Sequence, residues 1–273
     1  MKRWLSASFA LGSFIGAVTV SAFAFFTLKF GMLNVPSAPV AAEPVSSTTT
    51  PVTGTFADAA AYFQQKGITL SSTPLAPLEW ASWENVDPSD RNALQAAADI
   101  KQEWAKYSDD ALKNSGLKAI YLVKGLTVNG QARSGMPEPD VTHALYFDIS
   151  DVYLQSENGS YLRRTYHHEF AHYIEYQLTG SYAPEDAAWS SCNAKDTVYG
   201  NGGSSMYSDP EFAHKAHPSY GFIDGYATSG EEEDKAEMFA YYMTEPNYVQ
   251  SLAAKDAGIS CKLTQTKLLL NRL

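Results

Sequence analysis

Cysteine is nearly absent from this 273-residue chain, which has two, Cys192 and Cys261. They are far apart and lack CxxC spacing, which excludes a structural zinc knuckle and a thioredoxin-type redox pair. Positive charge is scarce as well: 20 Lys and Arg stand against 30 Asp and Glu, a formal net charge of -10. That sign is wrong for gripping a phosphate backbone, so no nucleic acid partner is expected. No internal repeat recurs at a fixed period, which argues against a solenoid or propeller. What the chain does have is 45% hydrophobic and 13% aromatic residues, enough for one substantial core.

Charge is missing altogether between Trp4 and Leu28, directly after Lys2 and Arg3. Such a stretch is a membrane-insertion signal. It exceeds the apolar core of about 7 to 15 residues usual for a signal peptide, so its length favours an uncleaved anchor. Ala22-Phe23-Ala24 has the small-x-small form a signal peptidase reads, which keeps cleavage as the alternative. Lys2, Arg3 and the terminal amine outnumber Lys29 on the other flank, so the N-terminus is expected in the cytoplasm and the rest outside it. In an oxidising compartment a Cys192–Cys261 disulfide is the better expectation than two free thiols. Residues 34–54 lack helical or strand periodicity and are rich in Pro, Ser, Thr, Ala and Val, which reads as an extended tether. The expected organisation is an anchor or signal peptide at 1–33, a linker at 34–54 and one globular domain at 55–273.

Within that domain, Thr55 and Asp58 fit a capping box ahead of a short helix that aligns Phe56, Ala60 and Phe63. A second helix is expected from Asp87-Pro88 to about Tyr107. Lys118–Lys124 and Ala144–Ile149 have strand composition, giving a small sheet.

Residues Tyr161 to Leu178 contain neither Pro nor Gly, and Leu162, Tyr166, Tyr173 and Ile174 make an apolar helical face that Gly180 should end. This helix carries His168-Glu169-Phe170-Ala171-His172. Histidines four apart project from one helix face, so both imidazoles can reach one ion at about 2.0 to 2.1 Å. Glu169, turned about 100° from His168, can reach a water at that ion without ligating it, the place of a general base. His167 points elsewhere and reads as a residue supporting the site indirectly or lying on the surface. Without a further ligand, His168 and His172 would be an ordinary solvated pair.

A catalytic zinc site needs a third protein ligand. A helix is expected over Thr228–Met243, with Ser229-Gly230-Glu231-Glu232 as a capping box that accounts for Glu231 and Glu232. Glu233 and Glu237 lie four apart, suited to one carboxylate on the metal and one supporting a histidine; an exposed acidic face is the alternative. The connection 180–225 is long and rich in Gly, Ser, Tyr, Asp and Pro, which reads as a substrate-facing wall or lid. His214 and His217 within it have no clear helical frame and read as substrate contacts or surface.

The HExxH pentapeptide, Gly225-Tyr226-Ala227-Thr228 and Glu233-Asp234-Lys235-Ala236-Glu237-Met238-Phe239 together resemble the zinc-binding, gluzincin-like metallopeptidases related to the catalytic domain of anthrax lethal factor. The similarity runs from about Tyr146 to Met243. It implies Glu233 as the third zinc ligand beside His168 and His172, Tyr226 as a residue facing the metal, and Glu237 as the group that orients a ligating histidine. Lys235 departs from the apolar residue usual there, which matters little if that position faces solvent. Helices, a short sheet before the HExxH helix and more helices afterwards suggest an α+β, predominantly helical domain with a small β-sheet before that helix, which the resemblance makes zincin-like. The resemblance also implies a Zn2+-dependent peptidase acting on a peptide or protein substrate with Glu169 as base. Two other readings remain: a surface-tethered binding module of the same fold without turnover, and a zinc amidase acting on cell-wall cross-links.

Overall fold

In the computed structural model the described residues are 54–74 and 77–273, so the apolar segment Trp4–Leu28 and nearly all of the 34–54 stretch lie outside them. Thr55 caps α1 (Phe56–Gln64): its hydroxyl accepts from Asp58 N at 3.1 Å, and the Asp58 carboxylate accepts from Thr55 N at 2.7 Å. β1 (Thr69–Ser71) and β2 (Ala81–Glu84) precede α2 (Arg91–Trp104). That helix starts later than Pro88 and stops short of Tyr107. Asp87 spends its carboxylate on Ser89 N at 2.8 Å, closing a local turn, and Asp90 is the residue that caps, accepting from Asn92 N at 2.8 Å.

After α3 (Asp109–Asn114) come β3 (Ala119–Val128), β4 (Gln131–Ala132), β5 (Gly135–Glu138) and β6 (Ala144–Asp148). The sheet runs β1-β3-β6-β5, with β2 and β4 pairing to β3. β1 and β6 are parallel to β3, and β5 is antiparallel to β6. Alternation along the central strands sorts their side chains. Ile120, Leu122, Leu145 and Phe147 join the main helical core, whereas Tyr121, Val123 and Tyr146 face the opposite side with Met136. β5 carries Pro137, which an edge strand tolerates because its missing N–H need not serve the ladder.

α4 (Asp151–Leu154) and a 3-10 turn at Ser156–Gly159 lead into α5 (Ser160–Thr179), which Gly180 ends in the left-handed conformation. The expected apolar face is the one buried: Leu162, Tyr166, Phe170, Tyr173 and Ile174 all enter the main core. Phe170 packs on Trp104 with ring centroids 4.7 Å apart, and Tyr166 meets Phe147 edge-on at 4.8 Å. Each fully buried side chain of this size contributes roughly 1.5 to 3 kcal/mol, so the helix is fixed by its packing more than by its polar face.

The 180–225 connection holds α6 (Ala187–Ser190), a 3-10 turn at Gly203–Ser208 and α7 (Pro210–Ala213). A 3-10 turn at Tyr226–Ser229 precedes α8 (Glu231–Thr244), α9 (Pro246–Ala253) and α10 (Ala257–Leu270). The expected capping box at Ser229 does not form. The Thr228 and Ser229 hydroxyls donate instead to Gly225 O and Tyr226 O at 2.7 Å each, and Gly230 occupies the cap position. A disulfide joins Cys192 to Cys261 with Cα atoms 5.5 Å apart, stapling the connection to α10. The α+β class holds, and no helix among the described residues is long and apolar enough to cross a membrane.

Candidate metal centre

α5 and α8 lie side by side, and their facing surfaces bring three donor atoms together. His168 Nε2 and His172 Nε2 are 3.0 Å apart. Glu233 Oε2 lies 3.1 Å from the first and 3.2 Å from the second. A tetrahedral ion with bonds of about 2.0 to 2.1 Å needs ligand atoms about 3.3 Å apart, close to this triangle. Among the described residues these three are the His/Cys/Asp/Glu group close enough to share one ion.

The support behind the triangle is also in place. His168 Nδ1 faces Glu237 Oε1 at 2.7 Å, which favours the proton on Nδ1 and leaves Nε2 free to ligate. Glu237 in turn neighbours Asp224, whose carboxyl is held well above the usual range by burial and by the Glu237 charge. The Glu237 carboxyl is shifted the other way: burial raises its pKa, and His168 more than offsets it. Asp224 also accepts from Ala227 N at 2.9 Å, which ties the Tyr226 turn to the same cluster.

The electrostatics favour a cation at the centre. Burial opposes charge on His168, yet Glu233 and Glu237 outweigh it and raise its pKa well above the ordinary value. Burial likewise works against ionised Glu233, and His168 and His172 more than offset it, so its pKa falls. A site that would draw a proton between two imidazoles and a carboxylate is one that a divalent ion satisfies, with both histidines neutral. The Glu169 carboxyl is pushed up by burial, against the pull of His168 and His172.

Two glycines make room at this centre. A Cβ on Gly135 of β5 would lie 2.5 Å from Glu169 Cγ, so the edge strand runs directly against the Glu169 side chain. A Cβ on Gly203 would lie 2.1 Å from Tyr226 Oη and 2.4 Å from Glu233 Oε1. Tyr226 Oη is 3.5 Å from Glu233 Oε1, and its ring is 5.9 Å from that of His168. Beyond His172, a cavity of about 120 Å³ lies between α5, α6, α8 and α10, lined by Phe239 and Leu268 with Glu175, Lys235 and Arg272.

The remaining expectations sort clearly. His167 is neither on the surface nor in contact with the triangle: it is fully buried, with Nδ1 2.5 Å from Tyr107 Oη and Nε2 2.8 Å from Glu103 Oε2. Lys235 does not face solvent. It is buried, with Nζ 2.8 Å from Glu175 Oε1 and 3.3 Å from Glu231 Oε1, so Glu231 serves this cluster as well as helix initiation. His214 is exposed beside Glu157, and His217 Nδ1 donates to Phe222 O at 2.9 Å; neither joins the triangle. Asp224 and the two glycines escaped the sequence reading, although a run such as Tyr199-Gly200-Asn201-Gly202-Gly203 signals close backbone approach.

A family model described as "Putative zinc-binding metallo-peptidase" matches residues 101–268, more than half of the chain. The chain belongs to that family. The matched span begins within α2, ends within α10 and so contains every residue of the triangle. A solved structure described as a putative zinc-binding metallo-peptidase from Bacteroides caccae is similar at 16% identity, covering 80% of this chain and 83% of that one with a TM-score of 0.45. No curated protein matches the chain.

Proposed function

We propose that the protein is a zinc-dependent peptidase acting on peptide or protein substrates outside the cytoplasmic membrane. The observation that carries this reading is the triangle of His168, His172 and Glu233 with edges of 3.0 to 3.2 Å. The outer edge of β5 beside Glu169, unpaired among the described residues, supports a peptide substrate, because an extended chain can add to such an edge. The Cys192–Cys261 disulfide supports an oxidising compartment, in agreement with the topology expected from Lys2, Arg3 and the apolar segment after them.

When bound, zinc supplies Lewis-acid polarisation of water and of the scissile carbonyl. His168, His172 and Glu233 hold it, and Glu237 keeps the His168 ring oriented. Glu169 accepts a proton from the attacking water and returns it to the leaving amine nitrogen, so one water is consumed and one peptide bond is cleaved. The Tyr226 hydroxyl donates to the carbonyl oxygen as negative charge grows there, an interaction of the kind worth roughly 2.7 to 4 kcal/mol.

Glu169→Gln separates base from ligand. The variant is expected to bind zinc as the wild type does and to lose about 10² to 10⁴-fold in turnover of a peptide library. Wild-type cleavage by Glu169→Gln would overturn the assignment of the base. Cleavage of cell-wall cross-links in place of peptides would move the activity to an amidase.

A further inference from the structure

Next to the ligand Glu233, Asp234 is fully buried and takes no part in the reaction described above. Its Oδ2 accepts from Lys262 Nζ at 2.6 Å, from Tyr199 Oη at 2.7 Å and from Trp189 Nε1 at 2.8 Å. Lys262 is itself fully buried, donates also to Gly221 O at 2.7 Å and lies 4.3 Å from the Phe222 ring centroid. A charge pair removed from water in this way is costly unless its geometry and its additional hydrogen bonds are good, and it adds little stability compared with apolar packing. Its partners show what it holds. Three of them, Trp189, Tyr199 and Gly221, come from the 180–225 connection, Lys262 comes from α10, and Asp234 sits in the first turn of α8.

From Tyr199 the chain runs as a strap across the turn that carries Tyr226. Gly200 N donates to Thr228 O at 2.9 Å, and Gly202 N donates to Ser229 O at 2.8 Å. The strap ends at Gly203, whose backbone is the surface against which Tyr226 Oη and Glu233 Oε1 rest. One end is thus tied to Asp234 by the Tyr199 hydroxyl, and the other confines the Tyr226 hydroxyl.

We infer that Asp234, Lys262 and Tyr199 are positioning residues for Tyr226: the buried pair anchors the strap Tyr199–Gly203, and the strap sets where the Tyr226 hydroxyl stands. The inference rests on the peptidase reading for its kinetic consequence and on the strap contacts alone for its structural one. Asp234 acts through Tyr199 and Gly203, and Lys262 acts through Asp234. None of the three touches substrate.

The test uses Tyr199→Phe in the full chain, because it removes one hydroxyl without leaving a buried charge unpaired. Amide exchange of Gly200 and Gly202 is measured in substrate-free protein, alongside zinc affinity and the separate values of kcat and KM, in both wild-type and Tyr226→Phe backgrounds. Exchange at the two glycines is expected to accelerate by about tenfold or more while α5 stays protected. Zinc affinity should stay within about threefold, and kcat should fall by about 10 to 100-fold, the range for a misplaced group. That fall should disappear in the Tyr226→Phe background, where there is no hydroxyl to misplace. Lys262→Met, if it folds, should move the same readouts further in the same direction. Unchanged glycine exchange in folded Tyr199→Phe would overturn the anchoring. A kcat loss that persists in full on Tyr226→Phe would overturn the route through Tyr226. If the wild type cleaves no peptide, the peptidase reading falls, and the exchange measurement still decides the strap.

Discussion

The two helices that supply the candidate metal ligands are held in different ways. α5 rests on apolar rings: Phe170, Tyr166 and Tyr173 are fully buried among Trp104, Tyr107 and Phe147. The beginning of α8 rests on polar groups, with Asp234 on Lys262, Lys235 on Glu175, and Glu237 between His168 and Asp224, all within reach of a disulfide-stapled connection. Apolar packing is non-directional and tolerates small shifts, whereas hydrogen-bonded networks fix angles. The histidines thus sit on the robust side of the site, and Glu233 and Tyr226 sit on the side that is tuned.

Removing an apolar buttress should produce the largest stability change. Phe170→Ala is expected to lower the unfolding free energy by about 3 to 5 kcal/mol in urea titration, with little effect on the metal affinity of the molecules that remain folded. A loss of metal affinity larger than the loss of stability would break the contrast between the two helices.

Next in size is the staple on the tuned side. Replacing Cys192 and Cys261 together by Ala should cost about 2 to 4 kcal/mol and should loosen the 180–225 connection in hydrogen exchange before α5 responds. Equal loosening of both regions would show that they are not independently supported.

Smaller still is the loss of one orienting carboxylate. Glu237→Ala should weaken zinc binding by about 10 to 100-fold while leaving the fold intact, as chelator competition can measure. Unchanged affinity would remove Glu237 from the support of His168.

The smallest and broadest effect is expected from acid acting on the apolar side. Burial lowers the pKa of His167 below 6.5 despite the Glu103 carboxylate beside it. For Glu103, burial acts to raise the pKa, but His167 and Lys106 outweigh it, so the net shift is downward from 4.5. The neutral histidine therefore stabilises the fold fully above about pH 6.5, and that contribution is lost as pH falls through and below this value. The Glu103 contribution is present above its unfolded value and is lost lower down, as pH falls through its depressed folded value. The difference in urea midpoint between the wild type and a His167→Gln variant should shrink as pH falls from 7 to 4; a difference that grows on acidification would contradict the buried neutral assignment.

Much of the robust side was legible in the sequence, because periodicity reports apolar burial directly. Tyr161–Leu178 has no helix breaker, and its apolar positions fall on the face that is buried. The strands around Ile120 and Phe147 were visible for the same reason, whereas β1, β2, β4 and β5 are short, polar or interrupted by Pro137 and carry no period to read. On the tuned side the spacing of Glu233 and Glu237 singled out both carboxylates as candidates, yet their surroundings were hidden. A buried Lys235 or Lys262 depends on partners 60 and 28 residues away in sequence, and ordinary priors place lysine in solvent. The same prior misplaced His167, whose burial requires both Tyr107 and Glu103. The start of α8 was misjudged because the Ser229 hydroxyl is already committed to Tyr226 O.

Metal content measured by elemental analysis on the purified protein and on its Glu233→Ala variant tests the central claim most directly. One zinc per wild-type chain, with a large loss of affinity in the Glu233→Ala variant and intact folding, is the result expected of a site built by His168, His172 and Glu233. A wild-type protein that binds no zinc and gains no stability from it, or a Glu233→Ala variant that binds zinc as tightly as the wild type, would contradict it.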